Sequence, residues 1–373
     1  MPEASPIDIL LEGTPQWVVA APVGSDSLWV AVLDNGRVQA FRIEGAQARE
    51  VSISPEQLPP GMPPLLRIAD DRPTLVTAPD ALASPVTPPV VLQPSGRLAF
   101  IQSNGDLVIR NDAETALLAL NTLPDGRLLT DERERVLLLT NATKSYSHGV
   151  LGDTVEAAGI TLVETVPSVR VLSFIPLPDG DVVEGIAPIW TDLNGDGVRE
   201  IVVTVSNTRE GARIVVFNES GEKIAAGPAV GRGFRWRHQL AVAPFGPGGE
   251  IELTVVRTPH IGGVVEFYRL EKDTLRIVAQ VPGYRSHVLG SRNLDMALAG
   301  DLDGDGFVEL LVPDQGLTNL GVIRRTAEGA EVAWTIPLGG RANTNIAAVT
   351  TAEGRLIIGV GRQDGVLRVW PSP

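Results

Sequence analysis

Two stretches of this chain, TDLNGDGVREIVVTV and GDLDGDGFVELLV, share one grammar, and their acidic runs start 109 residues apart, at Asp192 and Asp301. In the first, Asp192, Asn194 and Asp196 alternate, Gly197 follows, and Glu200 closes the run. In the second the same places hold Asp301, Asp303, Asp305, Gly306 and Glu309. Calcium takes roughly six to eight hard oxygen ligands, which acids at alternate positions of a tight loop supply. The glycine permits the sharp turn, and Val198 and Phe307 can each add a backbone carbonyl. Without a cation such clustered acids repel one another. An EF-hand would need a bidentate glutamate at the twelfth loop position and a helix on either side. That position is Val312, and the residues around it, FVELLV, are β-branched and aliphatic. Each loop therefore joins two strands, and a chain that repeats it is built from strand–loop–strand units.

The loop separation is two units of roughly 50 residues, a length typical of four-stranded propeller blades. Aligned on these loops, the remaining chain follows one plan: strand, turn, strand, loop, strand, turn, strand. In VVLQPSGRLAFIQSNGDLVIRN the turns are Pro94-Ser95-Gly96 and Asn104-Gly105. Near the end they are Ala352-Glu353-Gly354 and Gln363-Asp364-Gly365. Asn-Gly and Asp-Gly between alternating apolar runs are strong hairpin signals. Seven units are counted, starting near residues 14, 62, 121, 167, 230, 283 and 339. The last lacks a fourth strand, which residues 7–13 can supply, so that no sheet edge is left open. Helical periodicity is essentially absent. The expectation is an all-β chain, residues 1–373 forming one seven-bladed β-propeller of four-stranded antiparallel blades, closed by the N-terminal strand.

The pattern D-x-[DN]-x-D-G-x-x-E between first and second strands resembles the FG-GAP or VCBS repeat family of calcium-binding β-propellers, known from integrin α-chains and bacterial exported proteins. The match is specific in units four and six. In unit five, AVAPFGPGGEIELTVV, Gly249 and Glu252 fit, but Pro244, Gly246 and Gly248 stand where the acids should, and no calcium is expected there. The resemblance implies a propeller and two structural calcium ions. It implies no activity, because this repeat serves both adhesion proteins and enzymes.

Composition sets further bounds. The 39 glycines and 29 prolines are spread along the chain, as many turns would require. No apolar run is long enough to span a membrane, and the opening MPEASPIDILLEG lacks a basic region followed by an apolar one. Cysteine is absent, which excludes disulfides and thiolate metal sites. A net charge of −14 argues against nucleic-acid binding. Loops that need abundant calcium favour a periplasmic or secreted protein, and a monomer is expected.

The chemistry is expected on the face opposite the calcium loops. His148 and His260 fall in second-to-third-strand loops, and His238 and His287 in links between units. On a propeller these segments share one face, at the mouth of the central channel. His148, His260, His287, Arg237 and Tyr146 are the candidate catalytic residues, and His238, Arg235, Arg292, Asn293 and Asp295 the candidate ligand-binding residues. Imidazole can act as base, acid or metal ligand near neutral pH. Arginine can clamp a carboxylate or sulfate with two hydrogen bonds. The first expectation is a binding face for an anionic, carbohydrate or protein ligand. The alternative is a sugar-active lyase or isomerase, with a transition metal held by His148, His260 and His287. A third is a scaffold with a plugged channel.

Overall fold

The computed structural model describes residues 5–69, 72–351 and 356–370, and among them there is no helix. The expected turn at Ala352-Glu353-Gly354 lies outside the described residues. Four-stranded antiparallel sheets follow one another along the chain. One holds Pro15–Val23, Asp26–Leu33, Val38–Glu44 and Gln47–Val51, and the next holds Val90–Val91, Leu98–Ile101, Asp106–Arg110 and Thr115–Ala119. Three further groups run from Leu129–Thr130 to Arg170–Pro176, from Ile189–Thr191 to Lys223–Ala226, and from Arg237–Ala243 to Thr274–Pro282. Bridging strand Val182–Val183 and a parallel pairing of Ala226 with Thr274 join these three into one 13-stranded sheet. A sheet from Leu298–Gly300 to Gly329–Pro337 follows. The last sheet takes Ala342–Thr350, Leu356–Arg362 and Val366–Trp370, and its fourth strand is Ile7–Leu10, paired with Val366–Val369.

Sheets packed on both faces by their neighbours explain why strands such as EIVVTV are apolar without alternation. Ile201, Val203 and Val205 pack with Leu137, Ile160 and Leu162 of the preceding group. Val202 points the other way, into a core with Leu253, Val255 and Tyr268. Similar cores join the remaining neighbours, and one brings Trp29 and Val18 near the N-terminus together with Val349, Leu367 and Val369.

Two expected unit starts are displaced. Residues 66–75 do not open the second sheet. They form a separate hairpin, Leu66–Ala69 with Arg72–Leu75, which packs on the first sheet and fills the join before Val90. Nor do residues from 167 open the fourth unit. Arg170–Pro176 pairs with Glu156–Glu164 as the outer strand of the third group, and the fourth begins at Ile189. In both places short apolar segments pair with whichever sheet edge is nearest.

The contact between first and last sheets is tight. Trp29 is fully buried, and a Cβ added at Gly359 would run into its indole. Gly359→Ala is expected to cost about 1–3 kcal/mol through overpacking, and Trp29→Ala about 3–5 kcal/mol, both read from urea unfolding. A Gly359→Ala protein as stable as the parent would show that this join yields easily.

Candidate functional site

Because the strands within each sheet are antiparallel, second-to-third loops and links emerge at one end and the Asp-rich loops at the other. His148, His260 and His287 lie on segments of the first end, as expected. His238 does not lie in a link. It is the second residue of strand Arg237–Ala243. The four imidazoles nevertheless form one chain of ring contacts. Ring centroids are 6.1 Å apart for His148 and His260 and 5.8 Å for His260 and His287. Trp236 bridges the rest, with His287 at its edge (5.1 Å) and His238 stacked on it (4.9 Å).

The sequence reading missed the group that organises this cluster. Glu184, at 0% exposure, accepts a hydrogen bond from Ser206 on one oxygen and pairs with His148 Nδ1 on the other. Its backbone carbonyl accepts the Trp236 indole N–H at 2.9 Å. A carboxylate on Nδ1 fixes the tautomer and leaves Nε2 as the free nitrogen. Phe234 stacks on the His148 ring at 5.1 Å and is half exposed, so it forms the roof. His287 Nε2 donates to the Ser291 carbonyl at 2.8 Å, and burial holds its pKa down at about 4, so it is neutral. Burial, with His148 and Arg285 adding to it, also lowers His260. His238, fully enclosed and hydrogen-bonded to Ser286 Oγ at 2.8 Å, is pushed far down by burial.

Four buried polar atoms here have no partner among the described residues: Tyr146 OH, Glu156 Oε2, His260 Nδ1 and His287 Nδ1. Burial, then the charge of Glu184, pushes the Glu156 carboxyl up to about 9 and raises the Tyr146 phenol as well. At neutral pH the cluster therefore offers a protonated carboxyl at Glu156, a phenol at Tyr146 and neutral imidazoles at His238, His260 and His287. One signal could have exposed the two glutamates: Asp153-Thr154-Val155-Glu156 and Asp181-Val182-Val183-Glu184 repeat D-x-V-E ahead of small residues.

Several expected ligand-binding residues turn out to be structural. Arg237 is buried and spends its guanidinium on Glu266 and the carbonyls of Ala212 and Pro228, which removes it from the catalytic set. Arg292 bridges Asp125 (2.8 Å) and Asp153 (2.7 Å), and Asp295 holds Arg127 at 2.7 Å. Asn293 donates to the Gln16 carbonyl at 3.2 Å and so ties this link to the first sheet. Arg235 is exposed, with no hydrogen bond or ion pair among the described residues. Two cavities flank the cluster. One of about 380 Å³ is lined by Trp17, Leu289, Arg292, Asn293 and Asn343, and one of about 200 Å³ by Arg127, Trp236, His238 and Asp295. Neither is lined by His148 or Glu184.

At the opposite end the Asp-rich loops join first and second strands. In the first, Asp192 accepts from the backbone N–H of Gly195 (2.6 Å) and Gly197 (2.8 Å), which holds its carboxyl below the usual range. Glu200 accepts from Leu193 N–H, and Asn194 lies between Asp196 and Glu200. Burial, with Asp196 and Asp192 behind it, raises Glu200. In the second, Asp301, Asp303 and Glu309 bring oxygens within 4.8 Å of one another, and no other group of three or more His, Asp or Glu does so among the described residues. The imidazoles are therefore not assembled as a metal-ligand set. The acids fit a hard divalent cation, but in the second loop a cation is already present: Arg324 lies 2.7 Å from Glu309 and 3.2 Å from Asp305. In unit five Arg269 and Arg325 flank the corresponding Glu252 at 2.6 and 2.8 Å, a physical reason for that loop to need no ion. Among the described residues Glu200 has no arginine partner.

No family model matches this chain, and no curated protein matches it in sequence. Solved structures do resemble it. The Mitotic Checkpoint Complex matches with 11% identity over 100% of this chain and 96% of that chain, at a TM-score of 0.49. BBS1N in complex with ARL6DN, soaked with mercury, matches with 10% identity over 99% and 97%, at 0.52. Chaetomium thermophilum Raptor matches with 12% identity over 98% of this chain and 28% of that one, at 0.48. At such identities likeness speaks of fold alone, and only the second score carries weight. The fold is β-propeller-like. The histidine cluster sits at the end of the sheets where first strands such as Arg237–Ala243 begin.

The Glu156 pKa stands above the 4.5 of an ordinary glutamate, so protons favour the folded state. That contribution is whole below pH 4.5 and is lost as pH rises towards about 9. Glu156→Gln, neutral throughout, is expected to flatten the decline of Tm across this window. A decline as steep as in the parent would place the responsible group elsewhere.

Proposed function

We propose that this chain is a calcium-stabilised, seven-bladed β-propeller of FG-GAP/VCBS type, closed by strand Ile7–Leu10, whose histidine-bearing face binds an anionic or carbohydrate ligand. The observation that carries the binding face is the concentration of unpartnered buried polar atoms at Tyr146, Glu156, His260 and His287. Half of the unpartnered buried side-chain polar atoms among the described residues lie here, and leaving one unpaired costs about 1–3 kcal/mol. A cavity lined by Trp17, exposed Leu289, Arg292 and Asn293 adds the mixed apolar and polar surface that sugars and protein partners use. Loops that fill with calcium suit a periplasmic or secreted setting.

The binding reading is tested by titrating neutral and uronate-containing oligosaccharides into the protein by calorimetry. Phe234→Ala and His260→Ala are expected to weaken binding tenfold or more while Tm shifts little. Absence of binding across such a panel, or equal binding by both variants, overturns this reading.

One observation favours an enzyme as the second reading: Glu184 holds His148 in the tautomer a general base requires. A transition metal at His148, His260 and His287 would need these side chains to move closer together. Elemental analysis of protein purified without chelator, with and without His260→Ala, decides that point.

For calcium, the loops support two ions that neutralise acids and stiffen the first hairpins of two blades. Calcium at roughly a hundred times its dissociation constant should stabilise the fold by about 2.7 kcal/mol per site. The gain is expected to vanish in an Asp192→Asn, Asp301→Asn double variant and to grow in Arg324→Met, which removes the resident cation. A Tm indifferent to calcium and to chelator would sink the loop assignment.

A further inference from the structure

Arginine is used with near-complete economy in this protein. Among the described residues, every arginine that is not exposed has a carboxylate within ion-pair distance, with one exception. The exception is Arg285, in the link that leads to strand Leu298–Gly300. Its guanidinium reaches only backbone carbonyls: His287 at 3.3 Å, Gln315 at 3.1 Å and His260 at 3.4 Å. A guanidinium carries five donors, so N–H groups on both terminal nitrogens stay free. Arg341, in the next link, is exposed and makes one long contact, 3.5 Å to the Gly316 carbonyl. Asp314 stands on the loop between them, but its carboxylate is spent on Thr318 and Asn319.

Two cations thus anchor on neighbouring carbonyls, Gln315 and Gly316, with no carboxylate in ion-pair distance among the described residues, in a chain whose net charge is −14. Burial depresses the Arg285 pKa, and Arg341 depresses it further, the signature of like charges held close. The backbone keeps them there. Arg285 N–H bonds the Pro313 carbonyl at 3.0 Å, Gln315 N–H the Gly283 carbonyl at 3.2 Å, and Ala342 N–H the Leu317 carbonyl at 2.8 Å. Beside them the buried Nδ1 of His260 has no partner. A partly buried cation without compensation is costly, and a planar guanidinium matches a planar or tetrahedral oxyanion in bidentate fashion.

We propose that Arg285 and Arg341 form a subsite for an oxyanion group, a carboxylate, sulfate or phosphate, on the ligand of this face. The inference rests on the binding reading above and assigns its anionic end. Arg235 and Arg292, the arginines first expected to do this, are respectively remote from any hydrogen-bonding partner and consumed by Asp125 and Asp153.

The test titrates sodium sulfate, sodium phosphate and sodium glucuronate into the full chain by calorimetry, with ionic strength held constant by sodium chloride. At least one is expected to bind saturably in the millimolar range. Arg285→Met and Arg341→Met should each weaken that binding at least tenfold. Arg341→Met guards against misfolding, because it loses one long carbonyl contact only. Preference for glucuronate over sulfate and phosphate would identify a sugar acid as the source of the anion, and the reverse an inorganic ion or ester. Glucuronate binding that is equal in parent and both variants overturns the arginine subsite while leaving the binding face intact. No saturable binding of any probe, together with no oligosaccharide binding, overturns both.

Discussion

Burial of both faces of the inner strands, between neighbouring sheets, is the constraint from which the rest of this structure follows. A sheet pressed between two others cannot alternate polar and apolar residues, so its strands carry almost no chemistry. Polar groups are driven to the strand ends, and the two ends take different roles. At one, tight Asp-Gly turns gather carboxylates, and at the other, longer loops gather imidazoles, a phenol and guanidinium groups. Glu184 belongs to neither category by sequence, since it follows a two-residue strand, Val182–Val183, that stitches two groups together. That stitch is what brings a carboxylate to His148.

The Asp-rich end shows one electrostatic problem solved in different ways. Glu200, Glu252 and Glu309 open the second strands of three successive sheets, and all are buried. A buried carboxylate must be neutralised or paired. Glu252 has two arginines and Glu309 one, whereas Glu200 has only N–H donors and neighbouring acids that repel it. The third strands set this difference: Tyr268 pairs with Leu253 and Ile323 with Leu310, which puts Arg269 and Arg324 across from the glutamates, while Phe217 pairs with Ile201 and puts Asn218 there. The gradient from arginine-filled to arginine-free makes the first loop the one with most need of a foreign cation.

Much of the architecture was legible because turns and strands announce themselves locally. Asn104-Gly105 and the paired Asp-rich loops each sit between the strands expected of them, and the pairing of residues 7–10 with the last strand follows from a missing fourth strand. The starts near 62 and 167 were misread because a two-stranded hairpin and an outer strand carry the same local pattern as the opening of a new unit. Histidines are few, so their shared location could be read from topology. Arginines are many, and sequence does not say which acid lies across a sheet from each. Arg237 and Arg292 were expected to face a ligand and instead face Glu266, Asp125 and Asp153. Glu156 and Glu184 went unseen for the converse reason, since a single acid in an apolar run resembles an ordinary surface residue until its burial is known.

Pairing Ile7–Leu10 with Val366–Trp370 has a consequence for how the molecule is made. On the ribosome the first of these strands emerges long before its partner exists. Until the last strand leaves the exit tunnel, the final sheet lacks its outer strand and Trp29 lacks the Gly359 backbone it packs on. Unpaired strand edges and uncovered apolar faces are what nascent chains aggregate through. Synthesis therefore leaves the Ile7–Leu10 edge and the Trp29 face uncovered until residues 356–370 have been made.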